Sequence, residues 1–245
     1  MKTIEHHEIT LQGRVVSYRL RRSKRRSVGL MIDHSGLTVA APERISTRDL
    51  IASLQDKSKW VLAKLDKWGD VEPPETRRLE SDARLPFFGR ELELQIVAHP
   101  TRARTNIERD QDRLTVEIDR HLQGEMKAST IKKGLERWYR RQAEVDFPPR
   151  VENYARKLGC HPSNVVIRSQ KRRWGSCDSK GIIRLNWRLI GAPPELIDYV
   201  CAHEVAHLVQ ANHSPAFWAV VKKLMPDWKA RRQRLNATAG VFVPF

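Results

Sequence analysis

Nothing in the 245 residues approaches the run of roughly 18 apolar side chains that a membrane-spanning helix needs. A transmembrane protein is therefore excluded, and an apolar share of 40% excludes a chain too polar to fold. Cysteine is scarce: the three at 160, 177 and 201 form neither an even set nor a C-x-x-C pair. The opening residues, MKTIEHHEITLQG, lack the apolar middle segment of a secretory signal. Both shortages point to a reducing cytoplasm and no disulfides. Acidic residues are also few, 29 against 45 Lys and Arg, which leaves a net charge of +16. Cations concentrate in Arg14 to Arg26, Arg168 to Arg188 and Lys222 to Arg234. Such stretches suit a polyanion, so nucleic acid is a candidate partner, although any one of them is equally well a solvated face.

The apolar pattern predicts an α+β chain. SVGLMID and LTVAAP flank a Gly-containing turn, HSG, which is a hairpin signal. Ser46 and Asp49 have the form of a helix cap, and Leu50, Leu54, Val61, Leu65 and Trp68 then recur at helical spacing, giving one helix of about twenty residues. Val71 to Pro86, rich in proline and charge, reads as a linker. Leu92, Leu94 and Ile96, and then Leu114, Val116 and Ile118, alternate with polar residues as half-buried strands do. Helical spacing resumes at Ile131, Leu135 and Trp138, is interrupted at Pro148-Pro149, and returns from Val151 until Gly159 stops it. Val165 to Ile167 and Ile182 to Trp187 read as strands, the second after the turn DSKG. The expectation is a β-rich region at 1–122 with one inserted helix, then a helical domain at 123–245, with no internal repeat.

The chemistry lies in HEVAH at 203–207, with a further histidine at 213. If Glu195 to Ala211 form one helix, His203 and His207 lie one turn apart on one face, a spacing that lets both bind one Zn²⁺. Asn212 can end that helix in a left-handed turn, and Ser214-Pro215 can cap the next. His213 then stands at the turn-back and can close the site. Three imidazoles leave a fourth tetrahedral position for water, and Glu204 beside them can take its proton.

Residues 170–218, QKRRWGSCDSKGIIRLNWRLIGAPPELIDYVCAHEVAHLVQANHSPAFW, resemble the YgjP-like metal-dependent hydrolases, minimal zincin metallopeptidases related to the SprT-like and WLM proteins. The N-terminal hairpin and helix are similar as well. The resemblance implies zinc held by His203, His207 and His213, Glu204 as general base, and an edge sheet from 165 to 187 beside the metal helix. Gln210 stands where metzincins carry glycine, so a metzincin reading does not transfer.

Around this centre, Arg173, Trp174 and Ser176 are candidates for binding substrate. Arg173 can hold an oxyanion, phosphate or carboxylate, or can simply pair with a helix end. Trp174 and Trp187 read first as packing residues. A Cys177 thiolate would close the metal site, and Cys201 reads as a buried small residue. Asp198 and Asn212 are candidates for orienting an imidazole N–H. The remaining histidines show no ligand spacing. The first functional expectation is a zinc peptidase acting on polypeptides. The second is a nucleoside-triphosphate pyrophosphatase acting on UTP, with Arg172 and Arg173 on the phosphates. The third is a nucleic-acid-binding module with structural zinc.

Overall fold

Gln12 and Gly13 both take positive φ, 48° and 83°, and two such residues make the turn whose twist matches a pair of antiparallel strands. They join β1 (Ile4–Leu11) to β2 (Arg14–Ser23). The computed structural model describes residues 4–33, 36–69, 79–100, 105–170, 173–237 and 242–243. It divides into two compact units, Met1–Glu75 and Thr76–Phe245.

In the first unit, β3 (Gly29–Asp33) and β4 (Gly36–Pro42) form the expected hairpin; His34 and Ser35 of its turn lie outside the described residues. Strand β4 runs parallel to β2, giving the order β1-β2-β4-β3. Alternation puts Ile9, Leu11, Val16, Tyr18, Leu20, Leu37, Val39 and Ala41 in a core closed by Leu50, Leu54 and Val61. The single helix expected here is two, α1 (Thr47–Asp56) and α2 (Ser58–Gly69), because the backbone departs from helical geometry at Lys57. Ser46 Oγ accepts from the Asp49 N–H at 3.1 Å, the expected cap. The linker expected at 71–86 lies outside the described residues as far as Thr76-Arg77-Arg78, and its last three residues belong to a strand.

The second unit opens with β5 (Arg84–Phe87), β6 (Arg90–His99), β7 (Asn106–Asp110) and β8 (Arg113–Asp119) in the order β5-β6-β8-β7. Strands β6 and β8 are parallel, and the outer pairs are antiparallel. Thus the two four-stranded sheets, β1 to β4 and β5 to β8, repeat one topology that is unseen in the sequence. The division expected at 122 and 123 is also displaced, to between 75 and 76, because this second sheet has no core of its own. Leu85, Phe87, Leu92, Leu94, Leu114, Val116 and Ile118 share one core with Leu135, Phe147, Leu196 and Val200 of the helices that follow.

Helix α3 (Gly124–Lys157) runs unbroken through Pro148-Pro149, contrary to the expected interruption. The two missing N–H groups free the carbonyls of Glu144 and Val145, and Val145 is 71% exposed, so water can serve that turn. Fully buried Phe147 and Val151 hold the helix on both sides of the break. It ends as expected: Gly159 takes φ 65°, its N–H bonds Arg156 O at 3.1 Å, and the Cys160 N–H bonds Ala155 O at 3.1 Å. Strands β9 (Asn164–Arg168), β10 (Gly175–Cys177) and β11 (Ile182–Asn186) then form a small sheet in the order β10-β11-β9. A 3₁₀ turn (Trp187–Gly191) leads to α4 (Pro194–Ala206), α5 (Pro215–Leu224) and α6 (Trp228–Ala237). None of the described helices is long and apolar enough to cross a membrane.

Candidate active site

Pro194 opens α4 where no N–H is required, and nine of its residues are buried, so the helix runs through the core rather than over it. The second sheet fixes where it starts. Phe88 and Gly89, at φ 51° and 74°, donate their N–H groups to Ile190 O at 2.8 Å and Gly191 O at 3.2 Å, just before α4. A Cβ at Gly89 would lie 2.8 Å from Pro193 Cα, so only glycine lets the turn approach this closely.

Helix α4 stops at Ala206, short of the expected 211, and His207 is its C-cap. Tight bonds follow, Leu208 N–H to Val205 O at 3.0 Å and Val209 N–H to Ala206 O at 3.1 Å. His207 Nδ1 then meets Gln210 O at 3.1 Å, which needs Nδ1 to carry the proton and leaves the Nε2 lone pair for another partner. Asn212 is not among the residues with positive φ; its Oδ1 instead accepts from the Ser214 N–H at 3.3 Å. Ser214 caps α5 as expected, its Oγ accepting from the Phe217 N–H. These turns return His213 to the helix face.

His203 Nε2 and His213 Nε2 are 3.0 Å apart, and the ligand nitrogens of His203, His207 and His213 all lie within 4.8 Å of one another. The three rings rest on Phe217, with centroids at 4.9, 4.4 and 4.7 Å. Trp218 stacks on His213 at 5.6 Å and on Trp228 at 4.3 Å. This aromatic floor was legible only as an apolar helix face. Burial, and then the neighbouring His207 and His213, push the pKa of His203 down to about 3. The ring is thus held in the neutral form that binds metal, and the donor set fits a divalent ion that accepts imidazole nitrogen. His203 Nδ1 is buried with no hydrogen-bond partner among the described residues.

Glu204 is 5% exposed, and burial raises its pKa to about 8 against the opposing influence of Arg173. Its side chain occupies the space beside β10, where a Cβ on Gly175 would lie 2.6 Å from Glu204 Oε1. The small sheet therefore lies beside the histidine helix, and a glycine is required at the point of approach. Asn186, almost fully buried, pins the preceding loop by donating to Gln170 O at 2.7 Å and Arg173 O at 3.3 Å. Arg173 is exposed and Ser176 half-buried, while Trp174 packs against Phe242 at 5.3 Å. Arg172 lies outside the described residues. Cys177 is not part of the nitrogen group, and burial raises its thiol pKa to about 11. Cys201 is fully buried. Asp198 does not orient an imidazole: it accepts from Arg150 at 2.8 Å, and Arg150 also pairs with Asp146 at 2.6 Å. The orienting acceptor is the Gln210 carbonyl, which side-chain patterns cannot reveal. Tyr199, one turn before His203 with its ring 6.0 Å away, also went unsuspected; burial raises its phenol to about 12.

The sequence model of the YgjP-like family, metallopeptidase domain, matches residues 26–238. The chain belongs to the YgjP-like family. Membership makes this YgjP-like protein a metallohydrolase with a divalent metal, and its histidine triad is where the structure gathers the donors. Among solved structures it is similar to the metallopeptidase zymogen abylysin of Pyrococcus abyssi, 27% identical over 37% of this chain and 92% of that one, with a TM-score of 0.35. It is also similar to the zymogen jannalysin of Methanocaldococcus jannaschii, 21% identical over 38% of this chain and 96% of that one, with a TM-score of 0.35. Comparison with curated proteins gives no match.

Proposed function

We propose that this YgjP-like protein is a zinc peptidase, with His203, His207 and His213 as metal ligands and Glu204 as the proton carrier. The observation behind this reading is the convergence of three imidazole nitrogens within 4.8 Å beside a buried glutamate. Imidazole donors suit zinc, whereas magnesium takes carboxylate and phosphate oxygens. Zinc in such a site supplies Lewis acidity toward a scissile carbonyl and a low pKa to water. The chain's own residues do the rest. Glu204 accepts the proton that a water nucleophile gives up and returns it to the leaving amine; its burial supplies the proton affinity that role requires. Gln210 O fixes the His207 tautomer, and Phe217 packs against all three rings. Arg173 supplies positive charge on the Glu204 side, where a substrate carboxylate or developing oxyanion can use it. Trp174 and Ser176 follow it in the chain, Ser176 on β10, as further substrate contacts. The three cysteines are free, in keeping with a cytoplasmic setting.

Glu204→Gln tests the reading. The variant is expected to keep its zinc, read by metal content, and to lose about 10²- to 10⁴-fold in turnover of a quenched-fluorescence peptide library. Wild-type turnover would remove Glu204 from the mechanism. A second reading, pyrophosphatase action on UTP, rests on Arg173; pyrophosphate release that vanishes in Glu204→Gln while peptides stay uncut would put it first. Hydrolysis of neither substrate would favour a binding module with structural zinc.

A further inference from the structure

A groove of about 450 Å³ lies where α3 meets the end of β9 and the 3₁₀ turn, and it shares no residue with the histidine triad. Its walls are Thr130, Lys133, Glu136, Arg137, Arg140, Ser169 and Trp187. Lys133, Arg137 and Arg140 follow one another at offsets of four and three, so they stand in a row on one face of α3 over about 10 Å of helix axis. Arg188 is held against two of the lining residues: its guanidinium lies 4.3 Å over the Trp187 ring, and its Nη1 donates to Ser169 Oγ at 2.8 Å. Arg140 is tied in place by Ile167 O at 3.1 Å and Glu144 at 3.1 Å. Lys133 and Arg137 are exposed and have no ion pair among the described residues. Three lining cations, with Arg188 beside them, therefore stand against one lining carboxylate, Glu136. Burial pushes the pKa of Arg188 down, so this cation is already partly stripped of water.

We infer that this groove binds the phosphodiester backbone of a nucleic acid, a site beyond the proposed hydrolytic centre. Guanidinium forks match phosphate oxygens two at a time, and they come ready fixed where Ser169, Ile167 and Trp187 hold them. A row of cations at steps of about 5 Å along an open groove needs a ligand with a charge on every repeat. A nucleic-acid strand has that density, and an ordinary acidic peptide does not. The net charge of +16 favours the encounter.

The test uses the full chain and a labelled oligonucleotide of about twenty nucleotides, titrated between about 50 and 200 mM salt. Lys133→Glu/Arg137→Glu is compared with Lys222→Glu/Lys223→Glu on α5, which makes the same change in net charge at other exposed positions. The groove variant is expected to bind at least about tenfold more weakly and to lose about 1.5 to 2 from the slope of log K against log salt. The α5 variant should lose far less, and circular dichroism confirms that both remain folded. Equal losses in the two variants would overturn the site in favour of diffuse charge, as would a wild-type chain that does not bind. Displacement by polyglutamate as effective as by oligonucleotide would overturn it in favour of an acidic protein. Displacement by a mononucleotide at equal phosphate concentration would overturn the backbone assignment in favour of a free nucleotide.

Discussion

The two four-stranded sheets are built alike and used differently. Each is a pair of hairpins joined through a parallel central pair, and the registers correspond: Tyr18 pairs with Leu37 in one, Leu94 with Leu114 in the other. Each first hairpin turns on two residues of positive φ, Gln12-Gly13 and Phe88-Gly89. The difference lies in what the turn touches. A Cβ on Gly13 would meet nothing within 4 Å, whereas one on Gly89 would strike Pro193 at the head of the histidine helix. The first sheet closes a core with α1 and α2 alone, and the second shares its core with the helices that hold the site. The same architecture thus serves once as a self-contained unit and once as the foundation of a reactive centre. Only the contacts at one turn and one sheet face tell them apart.

Substitutions at matched positions sharpen that contrast. The largest effect is expected from histidine. His207→Ala should lose bound zinc and all activity, while His7→Ala, which removes a ring paired with Glu5 at 3.1 Å on the first sheet, should change neither. Full zinc occupancy in His207→Ala would break the ligand assignment. Next come the register-matched core leucines. Leu37→Ala and Leu114→Ala, at 1% and 0% exposure, should each cost about 2 to 5 kcal/mol. Calorimetry should place the first loss in a transition that added zinc does not move, and the second in one that zinc raises. A single transition shifted by both would join the two units energetically.

The second sheet's two central strands, Arg90–His99 and Arg113–Asp119, the cap at Ser46, the stop at Gly159 and the histidine motif were legible, because each is a local pattern: alternation, a side-chain oxygen three residues before an N–H, a glycine, an i to i+4 spacing. What was not legible depends on distant partners. The strand Arg14–Ser23 carries Val16, Tyr18 and Leu20 in clear alternation, but the cations between them made it read as a charge cluster. Pro148-Pro149 read as an interruption of the helix because nothing local says that Phe147 and Val151 are anchored elsewhere. The repeat was hidden because side chains set by different packing need not be alike. Asp198 is polar and lies on the histidine helix, yet its partner is Arg150 on α3, forty-eight positions away. The α3 cations of the groove escaped notice because they are spread over eight positions in sequence with Glu136 among them, and only helical spacing gathers Lys133, Arg137 and Arg140 on one face.

The turn glycines test the comparison directly. Gly13→Ala and Gly89→Ala both force an alanine into left-handed backbone, at about 1 to 2 kcal/mol each. Only Gly89→Ala also drives a methyl group to 2.8 Å from Pro193 Cα, adding about 1 to 3 kcal/mol. It should lower kcat as well as Tm, since displacing α4 by a fraction of an ångström misaligns Glu204 and the histidines together. Equal kcat in the two variants would mean that the second sheet supports the helix without setting its position.

The smallest expected effect is the most discriminating. Ser46 and Ser214 cap helices in the two units with the same bond, a hydroxyl accepting the N–H three residues on, at 3.1 and 3.4 Å. Each Ser→Ala change should therefore cost about 1 kcal/mol in its own unit. Ser214, however, directly follows His213, and its N–H is held by Asn212 Oδ1 at 3.3 Å, so its cap also fixes the turn that carries the third imidazole. Loosening that turn should weaken zinc by about tenfold in a chelator competition, the order seen when a group that orients a ligand is removed. Ser46→Ala should leave zinc affinity unchanged at the same cost in stability. If both variants held zinc equally, His213 would be placed by its packing on Phe217 and Trp218 rather than by the capped turn.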